Sequence, residues 1–383
     1  MSANAMTPAT TAPGAAALAA SYAHGPGRVV EPGPSPRPDP APGPRVPLTA
    51  LAAHGRFGAA LARLLTEVAT PLRWEPWNQY NDHRAYPSAR AAGTVDLVLE
   101  VGARGWPLDP VRRALVGGAP TALDGPVRVE LVRRRDRLSP GYREFGDVLT
   151  ELEVGHVAAA LVEHAARLGL RARATGTTVT VGPDRETGDT AAPAPRRSSG
   201  VGPRGIAADP RPLPASALHA VVEAVNDPPA GSPVRDDLRH RLAVRNVVGV
   251  DDGWYDVVGG LRLVEPGPAV AGLQPVFGHP PGTIHVASVN LALVTTGDPA
   301  AAVASDGPDG YRALLRAAGA AAQHVCTAAA AAGAFCRPAR SADDGPLEAL
   351  VGAPASHVLL YLLVAGRPRG AGFAYDLTPL EAR

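Results

Sequence analysis

The chain has 383 residues, 45% of them hydrophobic and 19% charged, with a formal net charge of +1 at pH 7. That length holds two or three ordinary domains or one large duplicated one, and the near-zero charge supplies no field to steer the chain toward nucleic acid or a membrane surface. All 37 basic residues are arginine, so no chemistry of this chain uses a lysine amine; the surplus of Ala, Gly, Pro and Arg is what a GC-rich coding bias produces.

Residues 1–46 are Ala, Pro, Gly, Thr and Ser with almost no large apolar side chain. Such a segment cannot bury enough surface to offset its ordering entropy and reads as a disordered tail. It lacks the basic start and apolar core of a secretory signal, so a cytoplasmic location is expected. A first half follows over 47–181, then a breaker-rich linker over 182–195, then a second half over 196–383. In the first half, "TVDLVLEVG", "GPVRVELVRR" and "TTVTVG" read as strands; in the second, "GGLRLVEPG", "TIHVASVNLALVTTG" and "HVLLYLLVAG" do. The last of these is too short to span a bilayer and reads as a buried strand.

Between strands, each half carries one long Ala-rich helix pattern: "FGDVLTELEVGHVAAALVEHAARLGLRARA" and "GYRALLRAAGAAAQHVCTAAAAAGAFCRPA". Both have a mid-helix glycine, Gly155 and Gly319, and both stop at a Gly followed by an apolar residue, Gly169-Leu170 and Gly333-Ala334, as a helix C-terminus does. A mid-helix glycine costs about 1 kcal/mol against alanine. Its recurrence at matched points predicts a close approach there, by another helix or by a flat ligand. The fold class is α+β: a sheet flanked by helices, doubled. Cys326 and Cys336 read as buried small hydrophobes rather than a disulfide, and no CxxC or HExxH motif suggests a metal.

Four pieces stand out chemically. "RRSSG" places Arg196, Arg197, Ser198 and Ser199 after the linker and before a helix start at "RPLP". Arginine forks, hydroxyls and backbone N–H groups suit a phosphate. "AYPSARAAG" runs from Tyr86, and "ELEVGH" runs from Glu151 to His156. "AGRPRG" offers Arg367 and Arg369 near the end. Upstream of Tyr86, "RWEPWNQYNDHRAYPSA" concentrates aromatic and amide side chains, among them Trp77 and Tyr80, in a chain that is 4% aromatic. It reads either as cover for a core or as a substrate-facing lid.

Together these pieces resemble the nitroreductase-like flavoprotein family, and within it the SagB-type peptide dehydrogenases, over roughly residues 47–375. That family opens with a Ser- and Arg-rich phosphate motif and carries a "YPSAGA" segment, a Glu-x-Gly-His helix and a final strand ending in a basic turn. Its members are homodimers holding FMN between subunits and oxidise thiazoline and oxazoline rings in ribosomally made peptides. The resemblance implies a nitroreductase-like fold in two tandem copies forming an intrachain pseudo-dimer, with further homodimerisation open. It implies FMN held by Arg196, Arg197, Ser198, Ser199, Pro87, Ser88, Ala89, Gln323, Arg367 and Arg369. Tyr142 and His156 would be catalytic, and Trp77, Tyr80, Tyr86 and Glu153 would line the substrate. A precursor peptide and a cyclodehydratase complex are the implied partners; no metal, nucleic acid or membrane is implied. The family's Lys-Tyr pair falls on Gly141-Tyr142 here, so the tyrosine is kept and the lysine is not. Two other readings fit the same residues: a flavin oxidoreductase acting on a small molecule, and a non-catalytic scaffold subunit.

Overall fold

The computed structural model describes residues 42–76, 82–184, 195–202, 205–370 and 374–378. The expected tail lies outside the described residues up to position 41, and most of the linker and the side chains of Trp77 and Tyr80 also lie outside them. The first lobe starts two residues before the expected boundary of 47, at β1 (Arg45–Pro47). It continues through α1 (Gly55–Ala69), β2 (Arg73–Trp74), β3 (Asp82–His83), β4 (Val95–Val101), β5 (Arg104–Asp109), β6 (Ala114–Val116), β7 (Val127–Arg133), α2 (Phe145–Arg167), β8 (Leu170–Thr175) and β9 (Thr178–Pro183). After β10 (Val201–Gly202) and β11 (Gly205–Ile206), the second lobe has α3 (Ala215–Asn226), β12 (Arg239–Val244), β13 (Gly253–Val257), β14 (Leu261–Pro266), β15 (Leu291–Gly297), α4 (Pro299–Asp306), α5 (Gly310–Ala331), β16 (Phe335–Ala339), α6 (Asp344–Leu350), β17 (Val358–Gly366) and β18 (Tyr375–Asp376).

The duplication is written in the sheets. The first sheet runs β1-β6-β5-β4-β7-β9-β8 and the second β14-β13-β12-β15-β17-β16, every neighbouring pair antiparallel. With β1 set aside the two orders match strand for strand, and α2 and α5 enter at the same point. The chain is therefore built of two tandem copies of one α+β unit. In β4, buried Val95, Leu97 and Leu99 alternate with less buried Asp96, Val98 and Glu100, so this sheet has one apolar face. That face packs on α1 and α2 through Leu61, Leu65, Val157 and Leu161. In the second lobe β15 and β17 are buried throughout, because the sheet is covered on both faces.

Both long helices end at the expected glycines. Gly169 (φ +65°) and Gly333 (φ +72°) turn the chain out of the helix, and the residues beyond them form β8 and β16 rather than more helix. The run expected as one strand from Thr283 is a strand only from Leu291. Before it, the Ser288 hydroxyl donates to the His285 carbonyl (2.7 Å) and closes a short 3-10 turn that buries Val286 against the sheet. Trp254 and Tyr255 are buried in β13.

The lobes meet where α2 crosses α5, and the matched glycines are the crossing point. A Cβ at Gly155 would lie 2.0 Å from the Arg316 carbonyl oxygen; one at Gly319 would lie 2.1 Å from that of Leu152. The close approach predicted at these glycines is thus between helices. An ion pair and a hydrogen bond flank it: Arg316 Nε donates to Glu151 Oε2 (2.8 Å), and Thr327 Oγ1 donates to Glu163 Oε2 (2.8 Å) beside His324. At the C-terminus β18 pairs with β2, strapping the second lobe to the first.

Candidate functional site

On α2, Phe145, Leu149, Glu153 and His156 fall one helical turn apart and share a face. That face forms one wall of a cleft of about 400 Å³ between the lobes, within the range of ligand pockets. The segment entering the second lobe supplies another wall with alternate residues: Arg197, Ser199 and Val201 line the cleft. The register is held from the far side, where the Ser198 carbonyl accepts from the Cys336 N–H (2.9 Å). Period-two geometry therefore splits the "RRSS" motif. Arg196 faces outward and pairs with Asp376 (2.8 Å) and Thr378 (3.0 Å), and Ser198 faces away. Arg367 also lies outside the cleft lining, its guanidinium donating to the Pro212 carbonyl (3.3 Å), and Arg369 is exposed at the surface. Of the expected phosphate ligands, Arg197 and Ser199 remain at the cleft.

A third wall is the loop of Tyr86, Pro87, Ser88, Ala89 and Arg90. It ends in two successive left-handed residues, Arg90 and Ala91 (both φ +53°), a conformation costing an L-residue about 1–2 kcal/mol. The turn carries Arg90 over the Tyr142 ring (5.9 Å) and lets its Nε donate to the tyrosine hydroxyl (2.6 Å). The cationic neighbour of this tyrosine is thus an arginine. Arg197 Nη2 donates to the Tyr86 carbonyl (3.2 Å), tying the loop to the second lobe.

His156 lines the cleft, yet both of its ring nitrogens are taken. Gln323 donates its amide N–H to the Ala85 carbonyl (3.2 Å) and to Thr327 Oγ1 (3.3 Å), so its Oε1 accepts from His156 Nδ1–H (3.3 Å). Nε2 then accepts from the Tyr361 hydroxyl (3.0 Å). Burial, helped by Arg197, pushes the imidazole down to about 3, so it is neutral. Of the residues expected to be catalytic, His156 thus has both ring nitrogens engaged within the protein and links the two lobes. Gln323 stands behind it, out of the cleft.

Five arginines line the cleft (Arg84, Arg90, Arg197, Arg337 and Arg340) against two acids, Asp82 and Glu153. Arg340 is matched by Asp344 (2.5 and 3.1 Å), and Arg84 donates to the Tyr86 hydroxyl (2.9 Å). Arg197 meets no carboxylate among the described residues, its guanidinium donating to the Tyr86 carbonyl (3.2 Å). Its buried Nε has no partner among the described residues, and burial pushes the guanidinium down. Such a donor is costly unless an anion meets it. Phe277 and Ile284 add apolar surface opposite. Neither Tyr361, the hydroxyl in an otherwise apolar strand, nor Arg84, beside the aromatic-rich stretch, was singled out from sequence; each is legible there as a polar residue out of keeping with its run.

No protein-family model and no curated protein matches the chain. Among solved structures, a candidate nitroreductase from Anabaena variabilis is similar over 88% of this chain and 94% of its own, with a TM-score of 0.69 and 16% identity. The Escherichia coli microcin synthetase McbBCD complex with truncated pro-MccB17 bound is similar over 42% of this chain and 66% of its own (TM-score 0.36, 17% identity). An FMN-dependent nitroreductase from Clostridium difficile is similar over 45% and 86% (TM-score 0.31, 12% identity). At those two scores neither likeness bears on this chain's chemistry. The full-length likeness, with the doubled strand order, establishes that the chain has a nitroreductase-like fold.

Proposed function

We propose that the cleft holds FMN and that the protein is a dehydrogenase oxidising thiazoline or oxazoline rings in a ribosomally synthesised peptide. The observation that carries the flavin is Arg197, a buried guanidinium with an unpartnered Nε at a cleft built by both lobes. The residues present fit the group. Arg197 and Ser199 offer donors to a phosphate, while Tyr86, Pro87, Ala89 and Phe277 offer flat apolar walls to a ring system. Bound there, FMN supplies a two-electron hydride acceptor. Tyr142, with its oxygen held by Arg90, presents its hydroxyl proton to a heteroatom of the substrate. The strap of β18 on β2 and the buried α2–α5 seam keep both lobes on the cofactor. The peptide ring as substrate, with a cyclodehydratase as working partner, rests on the motif resemblance.

The test is the visible spectrum of the purified protein and its turnover. About one bound flavin per chain, oxidation of a thiazoline peptide, and little reduction of nitroaromatics by NAD(P)H are expected. A colourless protein that takes up no added FMN refutes the flavin. A flavoprotein that reduces nitroaromatics and ignores the peptide refutes the substrate class.

A further inference from the structure

Glu153 is 2% exposed, yet it is one of the two acids facing the cleft. Its two oxygens are treated differently. Oε2 accepts from the Ser88 hydroxyl (2.7 Å) and from the Thr94 hydroxyl (2.8 Å). Ser88 Oγ itself accepts from the Gly93 N–H (2.8 Å), so the serine proton is the one given to Glu153. Oε1 has no partner among the described residues. A buried polar atom left this way costs about 1–3 kcal/mol. Anchoring the 88–94 loop needs Oε2 alone, and a glutamine would anchor it as well. Oε1 is left over for a second task.

We propose that Glu153 is the proton-transfer residue of this cleft, accepting at Oε1 the proton that the substrate gives up. The proposal rests on the flavin reading above. Converting an azoline to an azole removes two hydrogens. One leaves with both electrons of its bond to the flavin. The other leaves as a proton: its bond breaks, its electron pair stays on the substrate as the new double bond, and an O–H bond forms at Oε1. Glu153 passes from carboxylate to neutral acid and returns the proton to solvent once the cleft empties. The step removes a buried charge instead of creating one, which the surroundings favour. Around the carboxyl stand Arg84 and Tyr86 from the loop, Tyr361 from β17, and neutral His156 on its own helix. Burial raises the carboxyl above the usual glutamate range and outweighs the hydrogen bonds from Ser88 and Thr94 and the charge of Arg84, which oppose protonation. A carboxylate poised in this way is a better base at neutral pH than an ordinary one. The arginines cannot serve, and His156 has no free nitrogen.

The experiment compares the flavin-loaded wild type with Glu153→Gln, which keeps the shape and an acceptor for Ser88 and Thr94. The variant is expected to retain flavin at the wild-type ratio while single-turnover flavin reduction by the thiazoline peptide slows about 10²–10⁴-fold. The wild-type rate is expected to rise with pH through the Glu153 ionisation, and that limb is expected to vanish in the variant. In flavin-free protein the infrared carboxylic-acid band should titrate away at a midpoint above about 4.3 and be missing in Glu153→Gln. Should the glutamine variant not fold, Glu153→Asp keeps the charge, retracts the oxygen and should slow the step while binding flavin. A flavin-bound Glu153→Gln that reduces within threefold of wild type, or an unchanged infrared band, overturns the proposal. So does a large loss in its place from His279→Gln, at a histidine that also lines the cleft. A wild type that binds no flavin is recognised before any variant is made and refutes the underlying cleft reading.

Discussion

Replacing Gly155 with alanine tests whether the lobes depend on the helix crossing. The new Cβ would stand 2.0 Å from the Arg316 carbonyl oxygen, where ordinary contact begins at 3.4 Å. The obstacle is backbone, so no side chain can swing aside, and the helices must part by roughly 1.4 Å at a seam packed like a crystal. Overpacking of this kind costs about 1–3 kcal/mol. Against it stands the helix-propensity gain of alanine over glycine, about 1 kcal/mol. Parting the helices also strains the Glu151–Arg316 pair, so a net loss of about 1–2 kcal/mol is expected. Denaturant unfolding measures it as a lower midpoint at unchanged slope. Because the cleft takes walls from both lobes, flavin affinity should fall along with stability. Gly319→Ala meets the same seam from the other side, so the double variant should lose less than the sum. Equal or higher stability in Gly155→Ala, with flavin affinity intact, would refute the claim that this contact sets the spacing of the lobes.

Arg197→Ala removes one charge-assisted donor set, worth about 1.5–3 kcal/mol, so FMN affinity by equilibrium dialysis should drop about 10- to 100-fold; Arg196→Ala, a surface residue paired with Asp376, should change it less than twofold. Glu151→Ala removes the buried carboxylate shared by Arg316 and Arg133 and leaves Arg316 the more exposed Asp309 (3.0 Å), so it should cost about 1.5–3 kcal/mol in chemical denaturation; a loss below 1 kcal/mol would show the seam indifferent to the pair. His156 is neutral in the fold, its value pushed down to about 3 against 6.5 when exposed. Its stabilising effect is complete above pH 6.5 and is lost as the pH falls toward 3, because the unfolded chain takes the proton first, at about 1.4 kcal/mol per pH unit. His156→Gln should flatten that limb of the stability–pH curve, and an unaltered slope would sink the buried-neutral assignment.

Much of this architecture is legible in one dimension. Alternation in "TVDLVLEVG" marks a one-faced strand, the Ala-rich runs mark the central helices, and glycines at matched points mark both their crossing and their ends. Glu153 and Tyr86 are likewise found from local motifs. Tertiary structure decided what faces the cleft. Arg196 and Arg197 are neighbours with the same chemistry, and distant contacts, the Cys336 N–H on the Ser198 carbonyl and Asp376 on Arg196 among them, fix which one points inward. Arg367 is drawn to Pro212 because β17 ends against Asn290, whose Oδ1 takes the Arg367 N–H (3.0 Å). The imidazole of His156 is occupied by Gln323 and Tyr361, residues more than 150 positions away. Periodicity and capping act over a few residues and so can be read in a window. Orientation at a cleft between lobes is set by contacts across the whole chain, and no window contains them.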